Sequence, residues 1–483
     1  MLFNSYAFLL CFLPAALAGY AAAIRLGGVA AAQLWLILAS CFFYGWWNPA
    51  NVPLLAASIL VNNAALRLCA RRGPALAVVA AANLVLLGWF KYLRDILAAL
   101  APAWAGIAPA HAALPLGISF FTFTQIALLL DARADPGLRP GLRQHALFVT
   151  FFPHLIAGPL LHHREMTPQF AALAPLTAAD LGAGLGIFAI GLAKKGLIAD
   201  PLAPVAAAGY AHPAGIGLTA AWMAALAYSM QLYFDFSGYS DMAIGLARLF
   251  GLRFPANFAS PYKAASVIEY WQRWHITLTR FLTQYVYTPA ALAAGRRCGR
   301  RMTPATFALR VAAPVTLTMA LAGIWHGSGL TFAAFGLLHA LYLVLNHGWR
   351  LFRPRHWPAA PRWSRVTLTY LCVLAGSVLF RTESLSDARA MLAGLAGLHG
   401  GGPVAVTPEL ARGVALIGLA AVLAFLAPNT QQIMARAEAV PGAFAPTRMA
   451  WRPSLGWAAV TGATLALGLL ALGQPAEFLY FQF

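Results

Sequence analysis

Charge is what this chain has least of. Of 483 residues only 10% are charged, and acidic residues are the scarcest, 14 Asp and Glu against 33 Lys and Arg. Soluble domains carry about a quarter charged residues, so a water-soluble globular protein is excluded. The five cysteines, Cys11, Cys41, Cys69, Cys298 and Cys372, are scattered, mostly within apolar runs, with no CxxC. That pattern excludes a disulfide framework and a cysteine metal site, and it reads as inert thiols. HExxH, a metal-ligand triad and a Gly-rich nucleotide loop are all missing, so no metal is expected. The lack of GxSxG argues against an esterase-type serine nucleophile. No short repeat and no long polar loop interrupts the pattern.

What is present is apolar. Hydrophobic residues make up 61% of the chain, and the mean hydropathy is +0.70. Runs near the roughly 20 residues that cross a bilayer lie at 6–24, 30–47, 52–69, 75–93, 112–130, 145–161, 180–199, 217–250, 265–289, 306–326, 328–349, 364–380, 409–427 and 455–473. The expectation is an all-α polytopic membrane protein with about 11–14 transmembrane or re-entrant helices. Ala16-Leu17-Ala18 resembles a signal-peptidase site, but no basic segment precedes it and more spans follow. Residues 6–24 therefore read as a retained first helix.

The formal net charge of +19 sits in short loops. That distribution fits the positive-inside bias of a polytopic protein and not nucleic-acid binding. Arg67, Arg71 and Arg72, then Arg296, Arg297, Arg300 and Arg301, then Arg350, Arg353, Arg355, Arg362 and Arg365, form clusters expected in the cytosol. Counting back from Arg71 places the N-terminus outside. A basic cytosolic face attracts anionic membrane lipids and polyanionic substrates.

Several polar side chains fall within apolar runs. His326, in IWHGSGLTF, sits at membrane depth, where an imidazole is costly and is by default a functional-site candidate. His275, in EYWQRWHITLTRF, lies between aromatic and arginine neighbours. Trp271 and Trp274 beside it predict a position near the membrane–water interface. Asp235 and Asp241 occupy a helix-length apolar segment and are expected to face the protein interior, as relay groups or in structural pairs with Arg248, Arg253 or backbone. His339 reads as support or packing, and His162-His163 as a solvated loop pair. Pro and Gly break LPLGISFFTF (114–123) and FFPHLIAGP (151–159). Broken backbone at depth must be buried in protein or line a cavity. These segments, with Phe120, Phe121, Phe123, Phe151, Phe152 and Trp325, are therefore expected to wall an internal chamber. On residues alone, a proton-coupled transporter using intramembrane Asp and His is the competing reading.

Seven segments together carry a resemblance: LPLGISFFTF at 114–123, FFPHLIAGPL at 151–160, FDFSGYSDMAIGLARLFG at 234–251, FPANFASPY at 254–262, EYWQRWHITLTRFL at 269–282, IWHGSGLTFAAFGLLHA at 324–340 and FLYFQF at 478–483. The chain resembles the membrane-bound O-acyltransferase family, in the bacterial branch that acetylates alginate and, more distantly, transfers D-alanine to teichoic acid. The resemblance implies one integral-membrane domain over 1–483, with N-terminal helices over about 1–110, a catalytic core over 111–350 and C-terminal helices over 351–483, around a transmembrane tunnel. It implies His326 as principal catalytic residue and His275 as a second. It implies a cytosolic acyl-CoA donor, acetyl-CoA above all, and no permanently bound cofactor. The acceptor would be an extracytoplasmic polysaccharide, reached through an SGNH-type partner at a bacterial inner membrane. Asn257, Tyr262, Lys263, Arg273 and Trp325 are candidate substrate contacts. YTPAALAAGRR at 287–297 departs from the alginate-type turn, so the polymer need not be alginate. Acyl transfer to a hydroxyl needs a base, a part a neutral imidazole at His326 can play; whether it acts as base or transient acyl carrier stays open at this point.

Overall fold

The computed structural model describes residues 1–69, 73–107, 114–297, 301–354, 356–358, 360–400, 407–438, 444–473 and 479. Arg71, Arg72, Arg300, Arg355, Cys298 and all of FLYFQF except Leu479 lie outside the described residues, as does the side chain of Arg297. Among the described residues the regular structure is helical, and eight helices are long and apolar enough to cross a membrane. The protein is an all-α polytopic membrane protein.

The chain forms two compact units, residues 1–193, 238–256 and 430–475, and residues 194–237, 257–429 and 476–483. In the first, the helical stretch Ala7–Gly45 breaks at Gly28, whose φ of 66° suits glycine. Trp35 Nε1 donates to the Ala16 carbonyl at 2.9 Å, and the Phe12 and Phe42 rings stack 6.2 Å apart. A straight helix would hold residues 16 and 35 about 28 Å apart at its 1.5 Å rise. The stretch is therefore a hairpin, two antiparallel helices turning at Gly28. Helices Asn51–Leu68 and Gly73–Lys91 are cross-linked by reciprocal Asn62–Asn83 amide bonds of 2.9 and 3.2 Å. With no water in hydrocarbon, such polar pairs hold helices together.

The Pro- and Gly-broken segments also belong to this unit. LPLGISFFTF leads into Ile118–Ala134, and 145–161 forms the short helices Leu142–Thr150 and Phe152–Leu155. Phe151 and Phe152 are fully buried and pack edge-on against Phe250. His162 and His163 are buried rather than solvated, and His163 Nε2 bonds Thr167 Oγ1 at 2.7 Å. The loop prediction failed because 163 opens the helix His163–Ala171, which packs inward.

In the second unit the apolar run 265–289 is not one helix: Val267–Trp271 stands apart, and Ile276–Leu282 runs on through a π-helical turn, Thr283–Tyr287, into Thr288–Arg297. Trp271 and Trp274 are buried among protein groups. Hydropathy counts the many aromatics and cannot see that their rings pack on other protein groups. Pro304–His326 and Leu330–Phe352 form a helical hairpin. A Cβ on Gly323 would strike the Phe332 carbonyl, and one on Gly336 the Met319 carbonyl. The two backbones touch there because neither residue has a side chain.

This contact predicts a pair of opposite outcomes. Gly336→Ala should destabilise the purified protein by about 1–3 kcal/mol, through overpacking against backbone. Gly418→Ala, in helix Pro408–Phe425 with open space around it, should be neutral or stabilising by up to about 1 kcal/mol. Thermal unfolding in detergent reads both, and equal midpoints would remove the close-packing account.

Candidate functional site

A buried cavity in the second unit is lined by both His275 and His326. Its free volume is about 40 Å³, room for roughly three waters at 10–15 Å³ each. Phe236, Tyr262, Tyr270, Trp271, Trp274, Phe335 and Phe380 supply an aromatic wall. None of Phe120, Phe121, Phe123, Phe151 or Phe152 lines it; Phe120, Phe121, Phe151 and Phe152 are buried in the first unit. Trp325 is not in the wall either, but its ring lies 4.7 Å from that of His326 and 6.4 Å from that of His275. A steric wall cannot be assigned from sequence because an aromatic residue looks the same whether it faces a cavity or a neighbour.

His326 ends the first helix of the Gly323–Gly336 hairpin, just before the Gly327–Gly329 turn. The imidazole is 8% exposed and meets the Phe380 ring edge-on at 4.9 Å. Its place is thus set by a tight hairpin and by the rings of Trp325, Phe335 and Phe380. His339, on the second hairpin helix, also lines the cavity and accepts from Trp271 Nε1 at 3.3 Å.

His275 is held differently. Its backbone is left-handed, φ 43° and ψ 53°, an arrangement uncommon outside glycine and costly unless its surroundings enforce it. The surroundings do: Ile276 N–H donates to the Asn257 carbonyl and Ala259 N–H to the Arg273 carbonyl, each at 2.9 Å. The side chain is 1% exposed, with Nδ1 3.1 Å from Asn257 Oδ1 and the Phe236 ring edge-on at 4.7 Å. Burial pushes its pKa down to about 3, so the ring is neutral at physiological pH.

The other candidates divide. Tyr262 lines the cavity, with its hydroxyl on the Ser229 carbonyl at 2.7 Å. Asn257 contacts His275 itself. Lys263 and Arg273 do not line the cavity. Lys263 Nζ donates to the Ala427 carbonyl at 2.6 Å, and burial, then the Arg273 charge, lowers its pKa. Arg273 pairs with Glu269 at 2.6 Å and donates to the Ala259 carbonyl at 3.2 Å. Asp241 lies in the first unit and accepts from Thr430 Oγ1 at 2.6 Å and Gln431 Nε2 at 2.9 Å.

Asp235 lines the cavity, but its partner is not an arginine. Lys195 Nζ pairs with Asp235 at 2.7 Å and with Asp200 at 2.5 Å, and Leu479 N–H donates to the second Asp235 oxygen at 3.1 Å. The Leu479 bond is one of the expected backbone contacts, whereas Arg248, one of the expected arginines, pairs with Asp180 in the first unit. Lys195 went unnoticed in the sequence. The signal was a lysine pair, Lys194-Lys195, inside an apolar run with no loop beside it. It sits in a π-helical turn, Lys194–Ala199, which re-aims side chains.

Removing one member of a buried ion pair strands its partner. Lys195→Met should cost about 3–5 kcal/mol, whereas Asp241→Asn, whose amide can still bond Thr430 and Gln431, should cost under about 1.5 kcal/mol. Unfolding midpoints in detergent test the ranking, and equal losses would contradict it.

Comparison with known proteins adds the following. A model of the membrane-bound O-acyltransferase family matches residues 110–381. The chain is 37% identical over 438 residues to a peptidoglycan O-acetyltransferase of Helicobacter pylori, covering 83% of this chain and 80% of that protein. It is 38% identical over 411 residues to a probable alginate O-acetylase of Azotobacter vinelandii, covering 82% and 78%. A teichoic acid D-alanyltransferase of Bacillus subtilis is 26% identical over 275 residues, covering 55% and 68%.

Proposed function

The chain belongs to the membrane-bound O-acyltransferase family, and on that premise we propose that it passes an acetyl group from cytosolic acetyl-CoA to hydroxyls of an extracytoplasmic polysaccharide. It is an O-acyltransferase and a multi-pass membrane protein. The proposed setting is a bacterial inner membrane, with an SGNH-type partner receiving the acyl group outside, no permanently bound cofactor, and the whole chain acting as one integral-membrane enzyme around a tunnel.

One observation carries the reading: His275 and His326, with His339 beside them, are buried on one small, aromatic-walled cavity. In the transfer, a hydroxyl oxygen attacks the thioester carbonyl, the C–S bond breaks, and the hydroxyl proton ends on the departing sulfur. A positioned imidazole contributes typically about 10²–10⁴-fold to such a step. A cavity of about 40 Å³ suits a group of few heavy atoms, which supports acetyl as the acyl group. The teichoic acid relative handles D-alanine by its name, also a small acyl group.

The donor's anionic nucleotide end needs positive charge. In the second unit Arg350 and Arg362, each from a long helix, reach the segment that carries Lys263 and Arg273: Arg350 donates to Ser266 Oγ at 3.0 Å and Arg362 to the Lys263 carbonyl at 3.3 Å. This cluster is the proposed entry for acyl-CoA. The Lys195–Asp235–Asp200 network is what a proton-coupled transporter would use instead. Thioester loss from acetyl-CoA by the purified protein separates the two, since a transporter leaves the thioester intact.

Three outcomes follow. His326→Ala should abolish acyl transfer while remaining monodisperse in detergent; near wild-type polymer acetylation in a strain carrying only that variant would sink the assignment. Among acetyl-, butyryl- and palmitoyl-CoA at equal concentration, acetyl-CoA should lose its thioester fastest, and a preference for palmitoyl-CoA would move the protein to lipid or protein acylation. The double variant Arg350→Glu, Arg362→Glu should weaken acyl-CoA binding, with a smaller loss at high salt, where long-range attraction is already screened; unchanged calorimetric affinity would place entry elsewhere.

A further inference from the structure

The bonds around Asn257 decide which nitrogen of His275 carries the proton. Asn257 Oδ1 accepts from the Thr277 backbone N–H at 3.2 Å and from Thr277 Oγ1 at 2.9 Å. A backbone N–H only donates, so the atom it meets is the amide oxygen and not the amide nitrogen. That same oxygen lies 3.1 Å from His275 Nδ1. An oxygen acceptor requires a donor opposite, so Nδ1 bears the hydrogen. In a neutral imidazole the other nitrogen is then a lone pair. That nitrogen, Nε2, is buried and has no hydrogen-bond partner among the described residues, and its ring lines the cavity. Asn257 is itself fully buried, and its backbone carbonyl takes the Ile276 N–H. The same residue thus fixes both the left-handed backbone and the tautomer.

We propose that Asn257 is a positioning residue that locks His275 in the Nδ1–H tautomer, so that Nε2 meets the reacting groups as a proton acceptor. The chemical half of this inference rests on the acyl-transfer reading; the tautomer lock does not. As the acceptor hydroxyl attacks the thioester carbonyl, Nε2 takes the hydroxyl proton. The new C–O bond forms, the C–S bond breaks, and the proton moves from Nε2 to the thiolate. The products are an ester, a thiol and the neutral imidazole again. During the step Asn257 Oδ1 accepts from Nδ1–H and steadies the transient imidazolium, the part a carbonyl or carboxylate orienter plays for a histidine base.

Other titratable groups face the same cavity: His326, His339, Asp235, Tyr262 and Tyr270, with Lys195 on Asp235. The pH test is therefore read as a difference between variants that leave all of these in place.

The experiment has two arms on the full chain in detergent. In the first, kcat and KM for acetyl-CoA are measured against pH. Asn257→Leu should lower kcat by about 10²–10⁴-fold with KM changed less than about threefold. Asn257→Asp, which keeps an oxygen acceptor, should retain more kcat than Asn257→Leu and move the acid limb to higher pH, because a carboxylate favours the imidazolium and the base must be neutral to act. Wild-type kcat in Asn257→Leu, or an unmoved limb in Asn257→Asp, would overturn the positioning role. In the second arm, ¹⁵N-histidine NMR of the wild-type protein reads the tautomer directly, with the His275 signal assigned by its loss in His275→Gln. A protonated Nδ1 and bare Nε2 are expected; an Nε2–H tautomer would overturn the lock even if Asn257→Leu fails to fold. A confirmed lock together with fully active His275→Gln would overturn the acceptor role while leaving the lock standing, which separates the two failures.

Discussion

Inside hydrocarbon a polar group has no water to fall back on, and every one in this protein must find its partner in the chain. That constraint arranges most of what is distinctive here. Asn62 and Asn83 satisfy each other across two helices, Arg248 meets Asp180, and Lys195 bridges Asp235 and Asp200. Helix packing in a membrane gains little from the hydrophobic effect, so these polar pairs and the glycine contacts supply register that apolar faces alone would not.

The same constraint makes His275 informative. Its neighbours are satisfied: the Asn257 carbonyl takes Ile276 N–H, the Arg273 carbonyl takes Ala259 N–H, and Thr277 donates twice to Asn257. Beside those bonds, His275 Nε2 has no hydrogen-bond partner among the described residues, and a buried atom of this kind at a cavity is a place where a ligand or substrate can complete the bonding. A left-handed backbone at a non-glycine residue points the same way, since such strain persists only where surrounding structure enforces it.

His326 and His275 reach one cavity by unlike routes. His326 is placed by a hairpin whose two helices touch at Gly323 and Gly336, a rigid and purely steric device. His275 is placed by hydrogen bonds in a stretch of short helices and extended backbone. The hairpin tolerates no added Cβ, and the bonded loop tolerates no lost acceptor, so the two supports are sensitive to different substitutions.

Much of this was legible in the chain itself. Scarce charge and recurrent apolar runs determined a polytopic helical membrane protein, because crossing hydrocarbon demands both. His326 stood out because an imidazole within an apolar run is costly wherever the run folds. The seven ordered motifs determined the family. Other features were not local properties at all. That 265–289 divides at residues 272–275, that Trp271 and Trp274 are buried among protein groups, and that Phe151 and Phe152 pack while Phe236 and Phe380 wall the cavity depended on tertiary neighbours. Asp235 has Lys195 as its partner, not Arg248, because the pairing is made between residues 40 positions apart, and sequence spacing carries no information on it. Asn257 lies 18 positions from His275; only the tertiary fold sets its amide oxygen on the imidazole, because a hydrogen bond is decided by the distance and direction of two atoms, which a one-dimensional order of residues does not contain.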